Sequence, residues 1–530
     1  MKLFKRYLLL MILALTMNLG AQFTIGGDPR VDPDDFIVTT FAENLNFPLG
    51  MALLPDSSLA VVVCNGNSYF GSTSGSLLQL IDADNDGVAE TQNVISDAIP
   101  FGALTALKIV DNWVFITGQG RPILIYRLEE DSNGYYIAET GRLTINYAGN
   151  WLHPNSAIEV RRTPNVAENY DLLIHLGSEV NFAKTMRKLE LTSSIGLQDS
   201  LAGDALHLLQ LQKQANILVP VSLQQVATGL RSAAGAAFSN NGDLYLQDNG
   251  IDGLTDPNEP HSADELNRIP ASEIGGTIDD FGFPDNFTAY RTGDIVGGAG
   301  IQPIAAFQPI PDPFTGDESE GPNDIAFAPS AFPAGLNNGM FIGFHGKFFL
   351  GGLDNEENPL VYVDFTDSSY FHFIGVGEPD VGHLDGLLST DSSLFVSDLS
   401  PNGGFGNGDA NKGKIYRIHR KSGPVTGIET DDVMIQQIHL APAYPNPFNP
   451  ETTIRFTLSS PSTIELNVFN SLGQQVKNFT EVSGKTLNAG EHKLRWNGAD
   501  DFGTVVESGV YFLNLRSSNI SLTKKLVLLK

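Results

Sequence analysis

The chain has 530 residues, too many for one compact core, and carries 61 acidic against 32 basic side chains, a formal net charge of −29. That balance argues against nucleic acid as a partner, because phosphate binding rests on clustered lysine and arginine. A single cysteine, Cys64, excludes an internal disulfide, so two folded units of unequal size held by buried apolar surface are expected.

Met1-Lys2-Leu3-Phe4-Lys5-Arg6, an apolar run from Tyr7 to Thr16 and the small residues Gly20 and Ala21 read as a signal peptide over residues 1–22. The run is too short to span a bilayer and no later stretch reaches the necessary length, so no membrane span is expected. No cysteine follows the cut near Ala21 or Gln22, which argues against a lipid anchor.

Six segments between residues 36 and 420 repeat one pattern: small residues, a few apolar positions, a polar turn, then a strand closing on small or polar residues. The first, Phe47 to Val63 (FPLGMALLPDSSLAVVV), turns at Pro55-Asp56 and runs into Cys64 as a buried strand. A further strand, Leu77 to Ile81, leads into Asp82-Ala83-Asp84-Asn85-Asp86-Gly87 with Glu90. Carboxylates at alternate positions turned by a glycine can converge on calcium, so Asp82, Asp84 and Asp86 are candidate ligands. Asn93 holds the twelfth place, where a helix-loop-helix site needs an acid, and a plain acidic turn is the alternative.

The second segment is Phe101 to Gly118 (FGALTALKIVDNWVFITG), followed by a strand from Ile123 to Leu128, and the third is His153 to Gly177, ending LLIHLG. The fourth, Gly229 to Gly250 (GLRSAAGAAFSNNGDLYLQDNG), turns at Asn241-Gly242 and is followed by Leu266 to Ile269. The fifth is Gly321 to Gly346, ending MFIGFHG, and the sixth is Gly382 to Asp398 (GHLDGLLSTDSSLFVSD), with Ile415 to Ile418 after it.

A hairpin plus outer strands, repeated six times, predicts an all-β fold, a six-bladed β-propeller over 36–420 around a central channel. One β-sandwich, the competing architecture, seldom absorbs so long a stretch. Uneven spacing predicts long loop insertions, chiefly 181–218 and 252–319, and the leucine spacing of Leu189 to Gln214 predicts a short helix or an irregular loop there. Asp264 and Glu265 read as a solvated strand edge. No spaced Cys/His cluster supports zinc and no serine sits in a nucleophile-elbow setting.

A polar linker over 421–439 (Ser422-Gly423-Pro424, then Glu429-Thr430-Asp431-Asp432) precedes Tyr444-Pro445-Asn446-Pro447-Phe448-Asn449-Pro450, whose prolines forbid helix and hold the chain extended. Thr452 to Leu458, Thr463 to Asn470, Arg495-Trp496-Asn497-Gly498, Ser508 to Phe512 and Lys524 to Lys530 come after it. The block 440–530 resembles the C-terminal sorting domain of the type IX secretion system, an immunoglobulin-like β-sandwich. The resemblance implies recognition by the secretion machinery and a secreted or outer-surface location.

Gly229-Leu230-Arg231, Gly242-Asp243-Leu244-Tyr245, Asp248-Asn249-Gly250, Asp264 to Ile269 and Phe281-Gly282-Phe283-Pro284 resemble the glucose/sorbosone dehydrogenase family, six-bladed propellers that use pyrroloquinoline quinone (PQQ) held by calcium. The resemblance implies a quinoprotein-like sugar or alcohol dehydrogenase with His153 as proton acceptor and Arg231 stabilising the reduced quinone. It further implies Ser232, Asn249 and Lys347 as cofactor contacts, and the main-chain carbonyls of Gly250 and Ile251 as calcium ligands. Ser232 stands where the family has an amide, Ile251 where it has proline, and His345-Gly346 runs into Lys347-Phe348-Phe349 and not Ser-Trp-Asn-Arg. A non-catalytic propeller that binds glycans or proteins, and a calcium-dependent hydrolase or lactonase, are the other functions these residues admit.

Overall fold

A computed structural model describes residues 23–252, 258–298, 300–308, 321–346, 360–374, 381–421, 438–440, 443, 446, 448–458, 462–470, 474–480, 482–488, 490–517 and 520–529. The signal peptide expected over 1–22, most of the linker and Lys347 therefore lie outside the described residues. The chain divides into two compact units, Met1–Gly423 and Pro424–Lys530.

In the first unit β1 (Phe36–Leu45) is followed by β2 (Met51–Leu53), β3 (Leu59–Cys64), β4 (Gly75–Ile81) and β5 (Thr91–Ile99), which form blade 1. Blade 2 comprises β6 (Leu104–Val110), β7 (Trp113–Gly118), β8 (Ile123–Asp131) and β9 (Gly134–Ile145). Blade 3 is opened by β10 (Ile158–Arg162) and β11 (Asn169–Leu176). The chain then returns to the edge of blade 2 with β12 (Lys188–Ser193) and β13 (Gln198–Ala202) before completing blade 3 with β14 (Ala205–Gln214) and β15 (Ile217–Thr228).

Blade 4 holds β16 (Ala236–Phe238), β17 (Leu244–Asp248) and β18 (Asp264–Ile269). The short β19 (Asp279–Asp280), β20 (Phe287–Thr288) and β21 (Ile295–Val296) come before its last strand, β22 (Ala305–Phe307). Blade 5 is β23 (Pro322–Phe327), β24 (Gly339–Phe344), β25 (Leu360–Asp364) and β26 (Tyr370–His372). Blade 6 is β27 (Gly386–Ser389), β28 (Ser393–Asp398) and β29 (Gly413–Arg420), with β1 as its outermost strand, so the start of the domain closes the ring against its end.

The helix expected within Leu189–Gln214 is a misreading: the segment is three strands, β12, β13 and β14. Leu189, Leu191 and Leu201 are buried against the blade 2–blade 3 core, and in β14 Leu208 and Leu209 face opposite cores, so the leucines serve both faces of a sheet edge. From Lys188 onward the expected insertion is accordingly strand joined by short turns, while 181–187 is an irregular segment.

Second strands are continuous apolar runs because they are covered by a blade on each face; every residue of β3, β7, β24 and β28 is buried. Alternation sends their side chains to opposite seams. Val114 and Ile116 pack with Val62 and Leu77 of blade 1, whereas Trp113 and Phe115 pack with Leu172 and Ile174 of blade 3. Separate cores fill the seams between blades 3 and 4, 4 and 5, and 5 and 6, and a further one joins Phe395 and Ile415 of blade 6 to Met51, Leu59 and Val61 of blade 1. First strands pack in order, β2 on β6, β6 on β10, β10 on β16, β16 on β23, β23 on β27 and β27 on β2. This is a closed six-bladed propeller, as the sequence pattern predicts.

The second unit carries β30 (Ile438–Leu440), β31 (Thr452–Leu458), β32 (Ser462–Asn470), β33 (Gln475–Asn478), β34 (Lys485–Leu487), β35 (Gly490–Trp496), β36 (Gly509–Ser517) and β37 (Ile520–Leu528). One sheet is ordered β30-β31-β35 and the other β33-β32-β36-β37, and Phe448, Ile454, Phe456, Leu466, Trp496, Leu513 and Leu526 share one core. Phe448 is buried and its N–H bonds Val527 O at 2.9 Å, so the aromatic residue of the proline-rich lead-in plugs the core.

Candidate functional site

Each inner hairpin is antiparallel, so the segment leading into its first strand and the segment leaving its second lie at the same end of the ring. Gly50, Thr105, Ala157, Gly235 and Asn323, at or just before the starts of five successive first strands, converge on an axial gap of about 20 Å³, room for one water. Lys108 pairs with Glu159 there at 2.7 Å, and burial pushes Asp324 up to about 6. The axis is thus filled near its first-strand ends, and ligand chemistry falls to the blade mouths beside it.

In blade 4, β17 ends on Asp248, whose carboxylate accepts the N–H groups of Arg231 (2.8 Å) and Ser232 (2.5 Å). That latch fixes Arg231, whose side chain is only 3% exposed. Its Nε donates to Asn181 O at 3.1 Å, Nη1 to Asn249 O at 3.2 Å, and Nη2 to Asp252 Oδ2 at 2.8 Å and to Asn181 Oδ1. Burial lowers the arginine's pKa against the pull of Asp252, yet the group stays a cation because its starting value is so high.

His153 reaches the same place from blade 3. Its Nδ1 lies 2.8 Å from Ser178 Oγ and its N–H bonds Ser178 O at 3.0 Å, while Ser178 N–H bonds Arg231 O at 2.8 Å. Gly177 permits this approach, since a Cβ there would fall 2.5 Å from Arg231 O and 2.7 Å from His153 Cβ. Burial, then the charge of Arg231, then His175 hold the His153 pKa well below the imidazole range, so the ring is neutral.

Gly250 N–H bonds Asp264 Oδ1 at 2.7 Å, Ile251 N–H bonds Ser262 Oγ at 2.7 Å, and Ile251 O accepts Ser262 N–H at 3.0 Å. Asp264 is buried, which corrects the expectation of a solvated strand edge: it faces inward to anchor the loop after β17. Arg231, Asp248, Asn249, Gly250, Ile251 and Glu265 help to line a gap of about 20 Å³. Burial pushes Asp248 up to about 7, and burial followed by the charge of Asp248 does the same to Glu265. Asn249 Oδ1 is buried with no hydrogen-bond partner.

Two carboxyls and an orphaned amide oxygen among the residues around a water-sized gap suit a hard cation such as calcium. Arg231, the one cation among the described residues lining the gap, is already enclosed by Asn181, Asn249 and Asp252, so a quinone carboxylate would meet no unengaged cation among those lining residues.

A second cluster spans blades 5 and 6. Asp398, at the end of β28, accepts N–H groups from Gly382 (2.9 Å), His383 (3.1 Å) and Ser400 (3.1 Å). The His383 ring stacks on His345 with centroids 3.8 Å apart, and Phe405 lies parallel to both. Asp385 bonds His345 Nδ1 at 2.9 Å and Asn323 Nδ2 at 2.7 Å. Burial would raise this carboxyl, but His345 overrides it and holds the group below the usual carboxylate range.

The fold therefore gathers His153, Arg231, Ser232, Asn249, Gly250 and Ile251 at one mouth, and leaves Asp82, Asp84 and Asp86 on the outer hairpin of blade 1. His153 is tied to Arg231 through Ser178 but does not line the gap. Sequence reasoning missed the roles of Asp248, Glu265 and the His345–His383–Asp385 cluster. The shared ending of LYLQD and LFVSD, an apolar strand closing on aspartate, was the available sign of the latch.

Residues 442–529 match the family described as the secretion system C-terminal sorting domain, in line with the landmarks of the tail. No curated protein matches the chain. Among solved structures, the holo form of the pyranose dehydrogenase PQQ domain from Coprinopsis cinerea is similar at 13% identity and a TM-score of 0.46, covering 76% of this chain and 98% of that one. The calcium structure of Trichoderma reesei Carbohydrate-Active Enzymes Family AA12 is similar at 16% identity and 0.48, covering 77% and 100%. The PQQ-bound aldose sugar dehydrogenase from Streptomyces coelicolor is similar at 16% and 0.42, covering 73% and 99%. Among the described residues no helix is long and apolar enough to cross a membrane.

Proposed function

We propose that this protein is an exported, calcium-binding propeller that recognises a sugar or other hydroxyl-bearing small molecule at the mouth of blades 3 and 4, and that its C-terminal sandwich is the address read by the secretion machinery. The observation that carries the site is the small acidic gap beside Arg231, where the carboxyls of Asp248 and Glu265 outnumber the one cation and Asn249 Oδ1 lacks a donor. Asp248, Glu265, Asn249 and the Gly250 carbonyl would hold the ion. An ion held by those residues would supply a positive centre that attracts the oxygens of neighbouring hydroxyl groups. Neutral His153, oriented by Ser178, accepts a hydrogen bond from such a hydroxyl.

A second reading, quinone-dependent oxidation of a sugar or alcohol, is favoured by that same imidazole, which is unprotonated and so has a ring nitrogen lone pair with which to accept a proton. One experiment separates the two. Purified mature protein is titrated with sugars by calorimetry in calcium and in chelator, and separately supplied with PQQ and an artificial electron acceptor. Saturable sugar binding that chelator abolishes, without dye reduction, is the expected result. Sugar binding indifferent to chelator overturns the first reading, and sustained dye reduction that His153→Ala abolishes establishes the second.

A further inference from the structure

The turn between β4 and β5 lies far along the sheet from the mouth, at the seam where the ring closes. Carboxylate oxygens of Asp82, Asp84, Asp86 and Glu90 all lie within 4.8 Å of one another. The Asp82 side chain is 9% exposed; its Oδ2 accepts Gly87 N–H at 3.0 Å and Arg417 Nη1 at 3.0 Å, while its Oδ1 is buried with no hydrogen-bond partner. A buried carboxylate oxygen without a donor is costly unless something positive meets it. Arg417 answers only one of four carboxylates.

The same turn is fastened to the closing strand. Thr39 Oγ1, on β1, donates to Gly87 O at 2.9 Å, and Ala89 N–H bonds Phe41 O at 2.8 Å. Ala89 packs against the blade 6–blade 1 core that holds Phe41, Phe395 and Val61. Gly87, at φ +93°, makes the sharp turn, and a Cβ there would press on Thr39 Oγ1 at 2.9 Å. Arg417 belongs to β29, the neighbour of β1. One short turn thus touches blade 1, the closing strand and the strand it closes on.

We propose that the Asp82–Glu90 turn binds one calcium ion through Asp82, Asp84, Asp86 and Glu90, and that the ion staples the ring at its closure. Spacing of the acids at first, third, fifth and ninth positions around Gly87 matches a loop that wraps a hard cation. The site is distinct from the gap beside Arg231. Weak affinity, with a Kd of about 0.1–1 mM, suits an extracellular module.

The test is calcium titration of the full mature chain by calorimetry and by thermal unfolding, in parallel with Asp84→Asn/Asp86→Asn, whose exposed side chains leave the core intact. The variant is expected to lose one binding equivalent and the share of the calcium-dependent rise in Tm that the outer turn supplies, so that its rise is smaller than that of wild type, while folding normally without calcium. Glu265→Gln, at the mouth, is expected to retain that equivalent and that share. Equal stoichiometry and equal Tm response in wild type and the double variant would overturn the proposal, as would a wild type whose Tm is indifferent to calcium.

Discussion

In blade 4 the strand ending in Asp248 latches the main-chain N–H groups of Arg231 and Ser232; in blade 6 the strand ending in Asp398 latches those of Gly382, His383 and Ser400. Both carboxyls are buried and pushed up to about 7. The side chains presented beside the two latches differ. Blade 4 places a cation among acids and leaves a small acidic gap, whereas blade 6 lays an imidazole flat against His345 and Phe405 and fills its space with rings. The comparison separates two jobs that share one device. The latch holds a propeller mouth in shape, and the residue it presents sets the chemistry.

The largest effect should come from removing the latch where it serves most donors. Asp398→Ala strands three buried N–H groups and should lower the unfolding free energy by about 3–5 kcal/mol, against about 2–3 kcal/mol for Asp248→Ala, which strands two. Urea unfolding of both variants measures the difference. Equal losses, or a larger one in blade 4, would mean that the latches are not equivalent parts.

Arg231→Met sharpens the contrast at the next scale. It removes the cation from Asn181, Asn249 and Asp252 without changing the latch, and should cost about 2–4 kcal/mol, because buried acceptors lose a charged partner. His383→Phe keeps a flat ring in the stack but gives up the contacts of its ring nitrogens with His345 O and Gly403 O, and should cost about 1–3 kcal/mol. A neutral Arg231→Met, with unfolding curves superimposing on wild type, would show that the guanidinium is held for a ligand and not for the fold.

Much of the fold was readable because second strands covered on both faces must be continuous apolar runs, and LAVVVC, VFIT and MFIGF announce themselves. The wandering chain between β11 and β14 was unreadable for the same reason. Leu189, Leu191 and Leu201 fill one seam while Leu206 and Leu208 fill the next, and two sheet edges served in turn by leucines imitate the spacing of a helix. At the mouth, Arg231 and His153 were legible as residue types, but their partners were not. Asn181 and Asp252 reach Arg231 from other loops, and Ser178 joins it to His153 only through the ring's curvature. The burial of Asp264 follows from Gly250 N–H needing an acceptor inside, which no local pattern encodes.

The smallest effect is a pH dependence that divides between the two mouths. Asp248, Glu265 and Asp398 have folded pKa values raised to about 7 from ordinary carboxyl values, so their protonated forms favour the folded state. The stability they contribute is full in acid and is lost as pH rises through about 7. His175 and His207 run the other way, depressed to about 3 and about 4 from 6.5, so their contribution is present above 6.5 and lost as pH falls below it. Between pH 6.5 and 8 the carboxyls alone decide, and Tm should fall by a few degrees over that range without calcium. In the Asp84→Asn/Asp86→Asn background, where the outer turn cannot respond, calcium at pH 8 should restore the part owed to Asp248 and Glu265, because a cation neutralises what a proton no longer does. The remainder belongs to Asp398, and adding Asp398→Asn should flatten it. If calcium restores nothing at pH 8, the blade 4 gap does not hold the ion, and the two mouths differ in shape alone.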